Sequence, residues 1–496
     1  MKGTQLMNNK FKKAALVYAV GQILAKSLNF IFIPLYTNKL GTEGYGQLAL
    51  IDMLYSLISV FIILGINSGY IRFYKENDSL GRKKLKGTAI TFSIIFSIIL
   101  ILINSLLSPF YVNYFMHLQN GVSIMNLLLI RCATEQIAYL LIIDYSMNYK
   151  ATNVVKIEIL KLVLNLSLII YFVAIANQGI YGMYKGYVIS NILVLILLSF
   201  KNYSDIKFQI NLSMLKDMLK YSCQLIPSGV SAIILNLADR YVLDFFLGLS
   251  VTGVYSLGYK FGTLIDPIFI SPFKKVFTPF KFEVWDKPNA NKNLNKWFYK
   301  YNLIGIIVIF LISIFGKSII MITSPRSFLG AYKIIPLILI SYFLYGKSEF
   351  YSLGIYVTNN TRFDGYIMIL SGILNLILNF TLIPILGMYG ATIATIISYY
   401  FTNKMFKKIS DKCYKFKYNV NKDIIKLWIL TITMYLLYFI LTYYIVSLFY
   451  EIQLALIIFL IWFLIIYKLK IIKKEFIIKI INNIKNKVGA NKNGNM

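Results

Sequence analysis

Histidine and cysteine are scarce in this sequence, and carboxylates are scarce beside its cations. A single histidine, His117, in 496 residues argues against a histidine-based metal site or a Ser-His-Asp hydrolase, though not against carboxylate chemistry. Three cysteines, Cys132, Cys223 and Cys413, are far apart and odd in number. They provide neither a disulfide framework nor a thiolate metal spacing, and no metal or cofactor is expected. Charged residues reach only 14%, against roughly 25% in soluble domains. Acidic residues are the scarcer sign, with 20 Asp and Glu beside 51 Lys and Arg.

What the chain has is apolar length. Hydrophobic residues make up 58%, and the mean hydropathy is +0.67. A soluble core of this size has no use for so much apolar sequence, whereas each membrane-spanning helix needs about 20 mostly apolar residues. The formal charge of +31 could suggest a nucleic-acid partner. Such binders gather Lys and Arg on one patch or stripe. Here the cations fall in short clusters between apolar runs, as the positive-inside rule predicts, so no nucleic acid is expected. The basic N-terminus, with Lys10, Lys12 and Lys13, runs into an apolar stretch too long for a signal-peptide core and reads as a first spanning helix. The fold class is all-α, a polytopic membrane protein of about 14 transmembrane helices.

The runs fall near 14–36, 45–70, 87–109, 121–143, 156–176, 180–200, 220–240, 251–273, 301–323, 333–356, 363–384, 388–403, 424–447 and 452–467. With the N-terminus inside, alternate segments divide the cations very unevenly. The inside segments hold 40 of the 51 Lys and Arg. The outside loops hold four, Lys39, Lys185, Arg240 and Arg326. That bias places both termini in the cytoplasm. The outer loops are all short, so whatever the protein does is done with membrane-embedded surface.

The two halves echo each other. Leu40-Gly41 with Gly44-Tyr45 recurs 207 residues later as Leu247-Gly248 with Gly253-Val254-Tyr255. Gly179-Ile180-Tyr181-Gly182 recurs at an offset of 208 as Gly387-Met388-Tyr389-Gly390, and Leu164-Asn165-Leu166 at 210 as Leu374-Asn375-Leu376. Six spans separate equivalent points, so the repeats are parallel about an axis along the membrane normal. The expected organisation is two six-helix lobes, 1–201 and 202–407, with an extra helix pair and basic tail at 408–496. In such transporters the substrate sits between lobes near the membrane midplane.

Pro34-Leu35-Tyr36-Thr37 through Gly44-Tyr45-Gly46, then Gly69-Tyr70-Ile71-Arg72-Phe73-Tyr74, resembles the polysaccharide transporter family. So does Ala238-Asp239-Arg240-Tyr241-Val242-Leu243, followed by Gly253-Val254-Tyr255-Ser256-Leu257 and Lys260, the more specific of the two stretches. The family includes the Wzx-type O-antigen and capsule-repeat flippases. It belongs to the superfamily of multidrug/cation antiporters and lipid II flippases. The resemblance covers both lobes, about 400 residues. It implies a non-enzymatic flippase in the bacterial inner membrane, moving undecaprenyl-diphosphate-linked oligosaccharide for lipopolysaccharide O-antigen or capsule. Membrane lipids, glycosyltransferases and a polysaccharide polymerase would be its partners. It also implies that basic residues on the first and eighth helices line the cavity, which fits Lys26 and Lys260 by location. Arg72 fits the family's arginine at the cytoplasmic end of the second helix.

Charges inside spans cost roughly 2.5–3.5 kcal/mol each at mid-helix, so they are functional candidates by default. For an anionic cargo, the candidate substrate-binding residues are Lys26, Arg72, Arg131, Arg240, Lys260 and Lys347. Asp52, Glu135 and Asp239 are candidate coupling or pairing carboxylates. Lys26 and Lys260 have no acidic neighbour one turn away and read as the best cavity cations. Structural alternatives stand beside the rest. Arg131 and Glu135, at i and i+4, could neutralise each other. Glu158 and Lys161 read mainly as a structural pair that snorkels to the cytoplasmic face. Arg240 could be a solvated cap. Asn29, Asn67, Asn165, Gln224, Asn236, Asn375 and Asn379 could contact sugar, or join helices. The competing functions are a cation-coupled drug antiporter, for which Asp52 could be the coupling carboxylate, and an integral-membrane enzyme of glycan assembly. The missing long outer loop and the excess of intramembrane lysine weigh against both.

Overall fold

The computed structural model describes residues 30–116, 120–148, 150–201, 208–358, 360, 362–414, 416–419 and 421–469, and every regular element among them is helical. Ten of these helices are long and apolar enough to cross a membrane, or eleven if the bent pair Arg326–Lys333 and Ile335–Val357 is one span. The expected fourteen differ from this count for local reasons. Most of the first run, Lys26 included, lies outside the described residues. The eighth is interrupted at 263–270, where Pro267 lies in a π-helical turn, Asp266–Ile270, and Pro272 starts the next helix. A ring nitrogen without a proton cannot continue the ladder, so proline here divides the span. The twelfth run lies in a helix, Met388–Cys413, that is not among the ten. It buries Thr392, Thr395, Ser398 and Thr402 and carries Lys404, Lys407 and Lys408.

The described residues divide into two compact units, 1–257 with 365–398 and 258–364 with 399–496. In the first unit, α1 (Ile33–Phe61) bends at Gly41, whose φ of 64° and ψ of −173° lie outside the helical region. α2 (Ile66–Phe73), α3 (Ser79–Met116) and α4 (Gly121–Met147) follow. α5 (Ala151–Ile169) is extended by a π turn, Ile170–Ile175, and α6 is Gly179–Lys201. The seventh run becomes three short helices, α7 (Leu212–Cys223), α8 (Ile226–Leu237) and α9 (Asp239–Leu247), with Pro227 in the first turn of α8. α10 (Leu249–Gly262) comes next and is divided between the units after Leu257. Gly41 and Gly248 both take positive φ, as do Gly179 and Gly387, the same positions that pair up in the sequence echo. A side chain there would meet the steric cost of the left-handed region.

Two hairpins of this unit meet by their glycines. A Cβ on Gly46 would lie 2.1 Å from the carbonyl oxygen of Leu249. A Cβ on Gly253 would lie 2.0 Å from that of Thr42. The Ser250 hydroxyl donates to the Thr42 hydroxyl at 2.8 Å across the same contact. Only residues without a side chain let two backbones approach so closely.

The second unit contains α11 (Ser271–Val284), α12 (Ala290–Thr323), a 3-10 turn (Arg326–Lys333), α13 (Ile335–Tyr351), α14 (Leu353–Val357), α17 (Lys422–Thr442) and α18 (Leu448–Lys468). α15 (Arg362–Leu386) and α16 (Met388–Cys413) are divided between the units. The packing logic is plain in α12, α17 and α18. Leu303, Ile306, Phe310 and Ile314 recur at helical spacing and bury against Leu427, Met434, Ala455, Ile458 and Trp462. On the opposite faces Ile429, Ile432, Leu436, Ile457, Leu460 and Leu464 stay exposed. Leucine and isoleucine on both sides of a helix are what a hydrocarbon solvent permits and water does not.

Candidate functional site

Three helices of the first unit each bring polar side chains to one face by helical spacing. α1 supplies Asp52 and Tyr55, α4 supplies Arg131 and Glu135, and α6 supplies Tyr184, Tyr187 and Asn191. They converge on the Arg131 guanidinium. Its central carbon lies 3.9 Å from the ring centre of Tyr187, 4.0 Å from Tyr55 and 5.4 Å from Tyr184. Aromatic faces stabilise a partly desolvated cation by about 0.5–2 kcal/mol each, so the cage holds the charge without using its N–H groups. Nε and Nη1 are buried and, among the described residues, have no hydrogen-bond partner.

The pairing expected along α4 is weak. Nε of Arg131 stands 3.9 Å from Glu135, beyond hydrogen-bond distance. Glu135 is held instead by Lys161 of α5 and by the Tyr55 hydroxyl, which donate to it at 2.5 Å each. Lys161 therefore pairs with Glu135 rather than with Glu158, which is exposed. Asp52 accepts from the Tyr184 hydroxyl at 3.2 Å. A cavity of about 350 Å³ opens beside the group, with Gln136, Tyr139, Glu158 and Lys161 in its walls. The site thus gathers Asp52, Arg131 and Glu135, as picked from sequence, and adds the tyrosines.

Other candidates fall elsewhere. Arg240 is no solvated cap. It is buried, pairs with Asp239 at 3.0 Å and donates to the Asn236 carbonyl at 2.9 Å. The Tyr255 hydroxyl also donates to Asp239, so these two charges are largely satisfied by each other and by their neighbours. Arg72 is exposed and paired with Glu76 one turn on. Lys26 and Asn29 lie outside the described residues. Asn67 donates to Gln136 at 2.7 Å and Asn379 to Asn375 at 2.9 Å, which is interhelical and intrahelical bonding.

In the second unit, Lys260 is partly buried, and among the described residues its ammonium has no hydrogen bond or ion pair. Lys347 lies over Phe343 at 4.7 Å and Phe298 at 5.8 Å, also without an acidic partner among the described residues. Its neighbour Glu349 turns the other way, 2.6 Å from Lys281 and 3.6 Å from Lys274. Among the described residues no group of three or more His, Cys, Asp or Glu could hold a metal ion.

Sequence reasoning missed several of the deeply buried charges. Lys317 of α12 donates to the Thr442 carbonyl at 2.5 Å, the Thr442 hydroxyl at 3.0 Å and the Ile445 carbonyl at 2.8 Å, and lies 3.3 Å from Glu451. Glu451, expected in an outer loop, is fully buried in the first turn of α18. It accepts from Tyr438 and Thr442 at 2.5 Å each. Lys86 is likewise buried against Asp144 at 2.6 Å. No spacing within one helix signals such pairs.

Residues 11–285 match the family described as polysaccharide biosynthesis protein. Protein 1 of the Lsg locus of Haemophilus influenzae is 38% identical over 95 residues, 18% of this chain and 23% of that protein. The match therefore spans about a quarter of the length of that relative. The structure titled lipid II flippase MurJ, inward closed conformation, superposes with a TM-score of 0.73 over 91% of this chain and 99% of that one, at 15% identity. An inward-facing multidrug resistance MATE family transporter of the MOP superfamily gives 0.62 over 79% and 97%, also at 15%. The fold is shared with these flippase and transporter structures, and the apolar helices make this a multi-pass membrane protein. With more than half of its length matched, the chain belongs to the polysaccharide biosynthesis protein family.

Proposed function

We propose that the protein is a flippase for undecaprenyl-diphosphate-linked oligosaccharide repeats, carrying them from the cytoplasmic to the outer face of the bacterial inner membrane for O-antigen, capsule or similar surface polysaccharide. The observation that carries this reading is Arg131, a buried guanidinium in a tyrosine cage with open N–H donors. A diphosphate head group bears about two negative charges, and its passage through hydrocarbon is prohibitive without cationic donors. Lys260 and Lys347 add charge of the right sign, and the tyrosines offer hydroxyls and ring faces to sugar. Glycosyltransferases and a polymerase would supply and consume such a cargo.

The accompanying topology is fourteen spans in two parallel lobes, 1–201 and 202–407, plus the pair at 408–496, with both termini cytoplasmic. Reporter fusions at Arg326 should read outside, and fusions at Lys287 and Lys412 inside. An outside reading at Lys412 would overturn the assignment of the last four spans.

The functional test is flipping of labelled lipid-linked oligosaccharide in proteoliposomes. Arg131→Ala and Lys260→Ala are expected to lose about tenfold or more, the worth of one or two charge-assisted hydrogen bonds. Arg131→Lys should recover little, because an ammonium lacks the planar fork that stacks and bonds together. Full flux in both alanine variants would sink the reading and favour the cation-coupled antiporter, with Asp52 as the residue to test next.

A further inference from the structure

A cavity of about 610 Å³ in the second unit lies away from Lys260 and Lys347 in sequence and shares no wall with them. It is bounded by the end of α12, the 3-10 turn Arg326–Lys333 and the 443–446 turn between α17 and α18. Lys317, Arg326 and Lys333 line it, and no lining residue is acidic. Lys317 is buried against Glu451 and the carbonyls of Thr442 and Ile445, so it fixes the wall and is neutralised by its partner. Arg326 and Lys333 are exposed and, among the described residues, make no hydrogen bond or ion pair. Two uncommitted cations therefore face one cavity. The rest of its wall is mostly apolar, with Met321, Leu329 and Val446, beside the hydroxyl-bearing Ser324, Tyr332 and Tyr443. Tyr443 and Val446 are more than two-thirds exposed beside it.

We propose that this cavity binds the phosphate head group of an anionic membrane lipid. Arginine and lysine donors suit a phosphate oxygen, and the apolar walls suit the glycerol and first methylenes of a lipid rather than a free anion. The absence of a carboxylate leaves nothing to receive the ammonium of a zwitterionic head group, so net-anionic lipids are selected. The site is independent of the cargo proposed above.

The experiment uses the full chain in phosphatidylcholine nanodiscs and measures retention of added phosphatidylglycerol by native mass spectrometry. Phosphatidylglycerol is expected to be retained over added phosphatidylethanolamine. Arg326→Gln with Lys333→Gln should weaken retention about tenfold, as loss of charge-assisted contacts implies. The variant's melting temperature should be unchanged, since both residues are exposed. If the pair misfolds, Lys333→Glu alone serves, with the same expected direction. A polyprenyl phosphate arm separates the sources: tighter retention than phosphatidylglycerol makes the isoprenoid carrier the natural ligand and leaves the proposal standing. Equal retention of the zwitterionic lipid, undiminished retention by the variants, or full displacement by equimolar inorganic phosphate would each overturn it.

Discussion

Arg131 and Lys317 are both buried cations in a membrane protein, yet their surroundings differ in kind. Around Lys317 the charges are answered: three oxygens of the 442–445 turn and the Glu451 carboxylate meet the ammonium, and Tyr438 and Thr442 complete the carboxylate. Around Arg131 the charge is cushioned by ring faces, while two nitrogens stay open. A saturated network rigidifies the helices that carry it. A caged cation with unused donors is what the proposed anionic cargo would need. On the proposed reading, the number of answered valences, rather than burial, separates scaffold from site.

The largest effect expected from breaking that contrast is on stability. Lys317→Ala or Glu451→Ala leaves a buried charge alone and should cost about 3–5 kcal/mol, read as a fall in thermal midpoint in detergent. Lys317→Met combined with Glu451→Leu should recover most of it. Single variants that melt like the parent would show the network to be dispensable. Gly46→Ala comes next, at about 1–3 kcal/mol, because its Cβ meets the Leu249 carbonyl. Gly229→Ala, whose Cβ meets nothing within 4 Å, should be neutral or stabilising.

The cage itself is tested by flux. Tyr187→Leu removes one ring face and should slow flipping about 5- to 30-fold, equivalent to 1–2 kcal/mol, whereas Tyr187→Phe should stay near the parent. Equal rates for both would mean that the rings do not hold Arg131 for the cargo. The smallest effect expected is that of Arg72→Ala on melting, about 0.5 kcal/mol or less, because an exposed i, i+4 pair contributes little. A loss of flux without a change in melting would move Arg72 from surface to cargo path.

What could be read in advance followed the range of the interaction. Helical spacing exposed Arg131 with Glu135, because i, i+4 neighbours share a face, whereas the tyrosines around Arg131 come from other helices and carried no such signal. The paired glycines were legible because a left-handed turn admits few residues. Lys161 was assigned to Glu158, three residues away, and the structure gives it to Glu135 on another helix. Lys317 and Glu451 are 134 positions apart, and an apolar-run boundary placed the carboxylate in a loop. Burial of charge is decided by which helices pack together, and no local pattern encodes that.

The contact of Gly46 with Leu249 and of Gly253 with Thr42 makes each hairpin both lock and key to the other. Each contributes the vacancy and the carbonyl that fills the opposite vacancy. Volume at this point is therefore a shared quantity. A methyl group gained at position 46 has to be absorbed by the backbone near 249, and that shift reaches Gly253 through the same few residues. The two positions cannot drift apart one at a time. With glycine at both positions no smaller residue exists to compensate a gain, so a library randomised at 46 and 253 together should yield survivors that keep glycine at both.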